Sequence, residues 1–120
     1  MASFVISKRF NGEYKFVFSS RKGKAIFTSN SFLDLQLCEK ALEYLRSNAA
    51  NLNFTKHRSA GGKYFFKVLI GEEIHAVSRR YTTELLLAKG ISEIQRDVAK
   101  AEILDFSNDS FIFPDIETSV

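Results

Sequence analysis

The chain predicts an α+β fold in which three strands, a helix, three strands, a second helix and a last strand follow one another. Tyr81 to Ile94, reading Tyr-Thr-Thr-Glu-Leu-Leu-Leu-Ala-Lys-Gly-Ile-Ser-Glu-Ile, has a helix start followed by an apolar stripe, and Phe32 to Leu45 has the same pattern 49 positions earlier. Ahead of each helix, aromatic and aliphatic residues alternate with polar ones in period 2, the mark of strands with one buried face. Short turn signals, Asn11-Gly12, Gly23, Gly61-Gly62 and Gly71, separate those strands. Sequential strands should therefore pair as hairpins in an antiparallel sheet, with both helices on one face of it.

Taken in order, Phe4 to Lys8 is the first strand. Asn11-Gly12 follows between apolar runs, and both residues tolerate the positive φ of a type I′ turn. Tyr14, Phe16 and Phe18 alternate with Lys15, Val17 and Ser19, which gives the second strand an aromatic face. Arg21 to Lys24 turns into a third strand, Ala25 to Ser29. Asp34 is the expected N-cap of the first helix, whose Leu35, Cys38, Ala41, Leu42 and Leu45 share one face. Asn48 to Asn51 ends it.

Leu52 to Arg58 opens the second half, and Tyr64, Phe66, Val68 and Ile70 form the inward face of the next strand. Gly71 to Glu73 turns into Ile74 to Ser78, and Thr83 caps a helix with the stripe Leu87, Ile91, Ile94 and Val98. Gly90 stands where the first helix has Ala41. Glycine inside a helix costs about 1 kcal/mol relative to alanine, so a close approach to the sheet is expected there. Ala101 to Phe106 is the last strand. The prediction is a single domain over 1–106 made of two tandem halves, about 3–51 and 52–106, with an acidic C-terminal tail over 107–120 that carries Phe111, Ile112 and Phe113.

A composition of 45% hydrophobic and 26% charged residues in 120 suits one globular domain with its own core. Cys38 is the single cysteine, which excludes an internal disulfide and a cysteine-rich zinc site and fits a reducing compartment. No apolar run approaches membrane-spanning length, and Phe4-Val5-Ile6 is too short for a signal peptide, so a cytoplasmic protein without a membrane partner is expected. All 17 basic residues lie in positions 1–100 against nine acidic ones, a surplus of eight. The last twenty residues hold five acidic residues and no basic one. A basic body with an acidic end suits polyanion binding, or a tail that screens its own body; the plainer reading is a solvated surface.

Catalytic chemistry finds little footing. His57 and His75 are the two histidines, with no convergent metal-ligand set around them, so neither a metal nor a cofactor is expected. His75 and Ser78 are three apart on a strand and should face opposite ways, which argues against a hydrolase pair. Cys38 sits on the apolar helix face as inert core. Two binding candidates remain beside the reading of an ordinary solvated surface. Arg79-Arg80, followed by Thr82 and Thr83, would make an anion cradle at a helix start for a phosphorylated small molecule. Lys15, Lys63 and Lys67 with Phe65, out of phase with the aromatic core face and with His57 alongside, would hold a single-stranded nucleic acid and stack a base. Arg21, Lys22 and Lys24 at one hairpin tip, and Glu72 and Glu73 at the matching tip, suggest a monomer or a weak head-to-tail homo-oligomer. The expected function is a small non-enzymatic binding or interaction module, with a protein or a single-stranded nucleic acid as partner. The alternative from another class is an enzyme or binder acting on a phosphorylated small molecule near Arg79 and Arg80.

Two copies of Gly-x-Tyr-x-Phe, with Gly12, Tyr14 and Phe16 in the first and Gly62, Tyr64 and Phe66 in the second, are followed by strands ending in Ser29 and Ser78. Together with Tyr81-Thr-Thr and Gly90-Ile91-x-x-Ile94, they resemble the uncharacterised YegP-like tandem-repeat family over roughly residues 3–106. The resemblance implies repeats that share one sheet and exchange their final strands, Leu52 to Arg58 serving the neighbouring half and Ala101 to Phe106 returning to the first. The first copy departs from the pattern at Phe32 and Ala41, and the second has Glu72 where Gly23 would align. The resemblance brings no activity and no site residue.

Overall fold

The structure, a computed structural model, describes residues 1–107. Seven strands form one sheet: β1 (Ser3–Lys8), β2 (Tyr14–Ser19), β3 (Ala25–Ser29), β4 (Leu52–Arg58), β5 (Tyr64–Ile70), β6 (Glu73–Ser78) and β7 (Glu102–Asp105). Two helices, α1 (Leu35–Ser47) and α2 (Glu84–Asp97), are each followed by a single 3₁₀ turn. The strand order is β4-β5-β6-β3-β2-β1-β7. The expected acidic segment, with Phe111, Ile112 and Phe113, lies outside the described residues from position 108 on.

Short turns make every sequential pair antiparallel, and β3 meets β6 antiparallel at the centre through Phe27–Ser78, Thr28–Val77 and Ser29–Ala76. The wholly antiparallel sheet expected from the sequence needs one correction. β7 runs parallel to β1, Phe4 opposite Ile103 and Val5 opposite Leu104, so the sheet is mixed. β7 reaches β1 through the long α2 connection from β6, so no tight turn ties this pair to the antiparallel sense that hairpins impose. α1 packs over β2 and α2 over β5. The strand leaving each helix, β4 or β7, then pairs on the side its helix does not cover.

Residues of period 2 fill the core. Phe4, Ile6, Phe16, Phe18, Phe27, Phe66, Val68 and Ala76 from the sheet form one buried cluster with Cys38, Leu42 and Leu45 of α1 and Leu87 and Ile94 of α2. Neighbouring rings meet at 5.2 Å (Phe4–Phe18) and 5.3 Å (Phe18–Phe27), distances at which aromatic pairs attract beyond simple burial. Both helices start at the residues expected. The Asp34 carboxylate accepts the Leu37 N–H at 2.8 Å and the Thr83 hydroxyl accepts the Leu86 N–H at 3.1 Å, satisfying donors that no helical carbonyl can reach. Buried Ser29 and Ser78 do matching work: their hydroxyls accept the N–H of Phe16 and of Phe66, at 2.9 and 2.8 Å, where β3 and β6 peel away from the ladder.

The β1–β2 turn differs from the type I′ expectation. Lys8 pairs with Tyr14, so five residues form the loop and Asn11-Gly12 cannot be its two central residues. Gly12 alone takes a positive φ, +90°, while Asn11 uses its side-chain oxygen to accept the Glu13 N–H at 3.0 Å. The β5–β6 turn is the tight one: Ile70 pairs with Glu73, and Gly71 at φ +61° stands first in a two-residue loop. Glu72, which aligns with Gly23, therefore needs no left-handed conformation. Among the described residues, no helix is long and apolar enough to cross a membrane.

A candidate anion-binding cleft

A concave site of about 580 Å³ opens at the end of the sheet where the β2–β3 hairpin tip, the β6–α2 loop and one side of α2 converge. The tip supplies Arg21, Lys22 and Lys24, because a glycine-containing turn exposes its flanking side chains. The loop supplies Arg79, Arg80 and Thr82, and the β4–β5 turn adds Lys63 just ahead of β5. From α2 come Leu86, Lys89, Glu93 and Arg96, positions i, i+3, i+7 and i+10, which a 3.6-residue period places on one stripe. Buried Ile26 and half-buried Tyr81 provide the apolar floor.

Eight lysines and arginines thus face a cleft whose lining holds one carboxylate, Glu93. A buried acid outside the lining fixes part of the array. Asp97, 4% exposed, accepts from Arg21 at 2.9 Å and from Arg96 at 2.8 Å. The hydrogen bond from Arg96, and then that from Arg21, holds the Asp97 carboxyl below the usual carboxylate range against the opposing effect of burial. The other six cations form no ion pair with any acid among the described residues. Two of them rest on rings: the Arg79 guanidinium carbon lies 5.6 Å from the Tyr81 ring centre and that of Arg80 5.5 Å from the Phe65 ring centre. Burial pushes the Tyr81 phenol upward, more than Arg79 pulls it down, so it faces the cleft as a neutral hydroxyl.

The related place, which combines the β3–α1 loop and α1 with the β5–β6 tip, is differently charged. Asn30 and Ser31 occupy the positions of Arg79 and Arg80, Ser47 that of Arg96, and the hairpin tip there carries Glu72 and Glu73 in place of lysines. Only Lys40 repeats its counterpart, Lys89. The cationic array therefore occurs at one of the two related places, with its tip from the first half and its loop and helix from the second.

Similarity to known proteins bears on the fold and stops there. No family model matches the chain. Its homologues are UPF0339 proteins of the YegP type. The chain is 24% identical over 99 residues to the "UPF0339 protein in ptx operon 5′ region" of Stutzerimonas stutzeri, covering 81% of this chain and 89% of the relative. It is 24% identical over 104 residues to the UPF0339 protein YegP of Escherichia coli K12, covering 85% and 94%. The solution structure of E. coli YegP, a protein of unknown function, superimposes with a TM-score of 0.78 at 22% identity over 89% of this chain and 94% of that one. A UPF0339 structure from Shewanella oneidensis gives 0.80 at 20% identity over 92% and 95%. These YegP-like structures share the mixed α+β architecture, and the names of these proteins give no activity.

Of the residues singled out from sequence, the YegP-like fold brings Lys63, Arg79 and Arg80 together in the cleft. Phe65 and Lys67 lie just beyond it on the outer face of β5, with Phe65 beneath Arg80. Lys15 stands apart. It is on β2, three strand steps from β5 and displaced toward the opposite end of the strands, so it joins neither the cleft nor Phe65. Lys89 and Arg96 escaped the sequence reading because they look like exposed helix residues; the stripe from Leu86 to Arg96 was the available signal. His57 accepts or donates at 2.8 Å with Thr55, and His75 lies against the Tyr44 ring. The Ser78 hydroxyl is occupied by backbone groups. Cys38 is fully buried, and its thiol is pushed up to about 11 by burial first and then by Asp105 and Glu39. Among the described residues no cluster of three His, Cys, Asp or Glu could hold a metal ion.

Proposed function

We propose that the protein is a non-enzymatic binding module that holds a phosphate-bearing ligand in the cleft between the β2–β3 tip and α2. The observation that carries this reading is the concentration of eight cations around one concavity, six of them without an acidic partner among the described residues. Like charges gathered in this way repel one another and are costly unless an anion completes the site. Arginine forks and lysine ammonium groups are suited to phosphate oxygens, and the volume suits a ligand larger than a single phosphate. A cytoplasmic location belongs to the same reading, supported by the lone buried thiol of Cys38.

The test is titration calorimetry of the full chain with inorganic tripolyphosphate at about 50 and about 200 mM salt. Binding that weakens sharply with salt, and that falls tenfold or more in Arg79→Glu and in Lys89→Glu, is the expected outcome. No heat at the lower salt, or unchanged affinity in both variants, rejects the cleft as an anion site.

A further inference from the structure

We infer that the ligand of the cleft is a single-stranded nucleic acid, whose backbone lies among the cleft cations while one base stacks at Phe65. The inference rests on the cleft reading above and adds a second surface to it. Phe65 of β5 pairs across the ladder with His57 of β4, and their rings stack at 5.2 Å with an interplanar angle of 23°. Both point to the face of the sheet away from the helices, and both are only half-buried. Arg80 belongs to both surfaces: it lines the cleft and lies over the Phe65 ring. An aromatic platform next to a cationic track is the arrangement that binds unpaired bases and backbone together. A base entering at Phe65 takes the place of the guanidinium, and Arg80 passes to the adjoining phosphate. Lys67, next on the same face of β5, extends the positive charge beyond the platform.

The other half of the fold argues the same point by contrast. Phe65 and His57 are matched there by Lys15 and Ser7, also a cross-strand pair, so the first half lacks the rings just as its helix-start loop lacks the arginine pair. Platform and arginine-bearing loop occur in the same half, the β2–β3 tip of the other half completes the cleft, and Arg80 belongs to both surfaces. Single strands are favoured over duplex because stacking on a protein ring needs a base that is already free of its neighbours. Charge alone accounts for a polyphosphate; the rings account for a base.

The experiment is fluorescence anisotropy of the full chain with labelled single-stranded RNA, single-stranded DNA and duplex DNA of equal length, alongside tripolyphosphate titrations. Either single strand should bind more tightly than the duplex. Phe65→Ala should weaken single-strand binding by about tenfold, the scale of one lost base stack, and leave tripolyphosphate binding unchanged. Phe65→Leu, which keeps apolar bulk on the sheet, should weaken it in the same way and guards against misfolding. Arg79→Glu should weaken every ligand. If Arg79→Glu acts on every ligand while both Phe65 variants bind single strands as the parent does, the cleft reading stands and the nucleic-acid inference falls. Duplex binding as tight as single-strand binding also overturns it. Failure of every anion to bind removes both.

Discussion

The Tyr81 hydroxyl occupies the space that a β-carbon on residue 90 would need: a Cβ built on Gly90 would collide with the Tyr81 oxygen and come within 2.9 Å of the ring carbon that bears it. In the first half the same pair is Phe32 and Ala41, a ring without the hydroxyl beside a residue with the methyl. The two halves thus solve one packing problem in complementary ways. Tyr81 cannot move away cheaply, since its ring stacks on Phe66 at 6.2 Å and carries Arg79 on it.

Gly90→Ala should therefore destabilise the protein by about 1 kcal/mol, the clash outweighing the better helix propensity. In a Tyr81→Phe background the same substitution should be neutral, or stabilising by up to about 1 kcal/mol, once the oxygen is gone. Urea unfolding of the four proteins measures the coupling directly. An identical effect of Gly90→Ala in both backgrounds would show that the hydroxyl is not what holds residue 90 to glycine.

That pair also shows how far the sequence could be read. The glycine in mid-helix signalled a close approach, yet its partner nine residues earlier became visible only when the cap and the sheet set the ring's direction. Caps at Asp34 and Thr83 were legible because each acts within three residues. The parallel seating of β7 was not, because it depends on where α2 releases the chain rather than on any residue in Glu102–Asp105. The cleft was legible in part. Arg79 and Arg80 are adjacent, so they announced themselves, whereas Arg21 meets Asp97 across 76 positions. The tip cations, read as a surface for self-association, form a wall of the same site.

Asp97 makes a pH prediction with a definite sign. Its carboxyl titrates lower in the folded chain than in the unfolded one, through Arg96 foremost and Arg21 after it. Folding then favours the ionised form, so its contribution is complete above the unfolded value near pH 3.9 and is lost as pH falls through the lower folded value. Asp97→Asn should lower the urea midpoint at neutral pH and flatten the acid limb of the stability profile below about pH 4. The profile of Arg46→Ala, whose partner Glu43 is exposed, should keep the parent's shape. Parallel acid limbs for Asp97→Asn and the parent would remove Asp97 as the source.

Lys56 is the last position where the two halves diverge with a consequence. It stands on β4 where β1 has Ile6, and it pairs with buried Phe66 on the core side of the sheet. Ile6 is 1% exposed and its strand has β7 as outer neighbour; Lys56 is exposed, and β4 has no outer neighbour among the described residues. A strand edge of this kind offers unpaired N–H and C=O groups to any other strand, and a charge set on its core side is a recognised way of preventing that pairing. Lys56→Ile should remove the barrier and produce association that grows with protein concentration in sedimentation velocity and persists at high salt, as apolar contacts do. Lys56→Glu keeps a charge there and should sediment like the parent. A Lys56→Ile protein that matches the parent at every concentration would assign the exposed edge's protection to the flanking His57 and Arg58 instead.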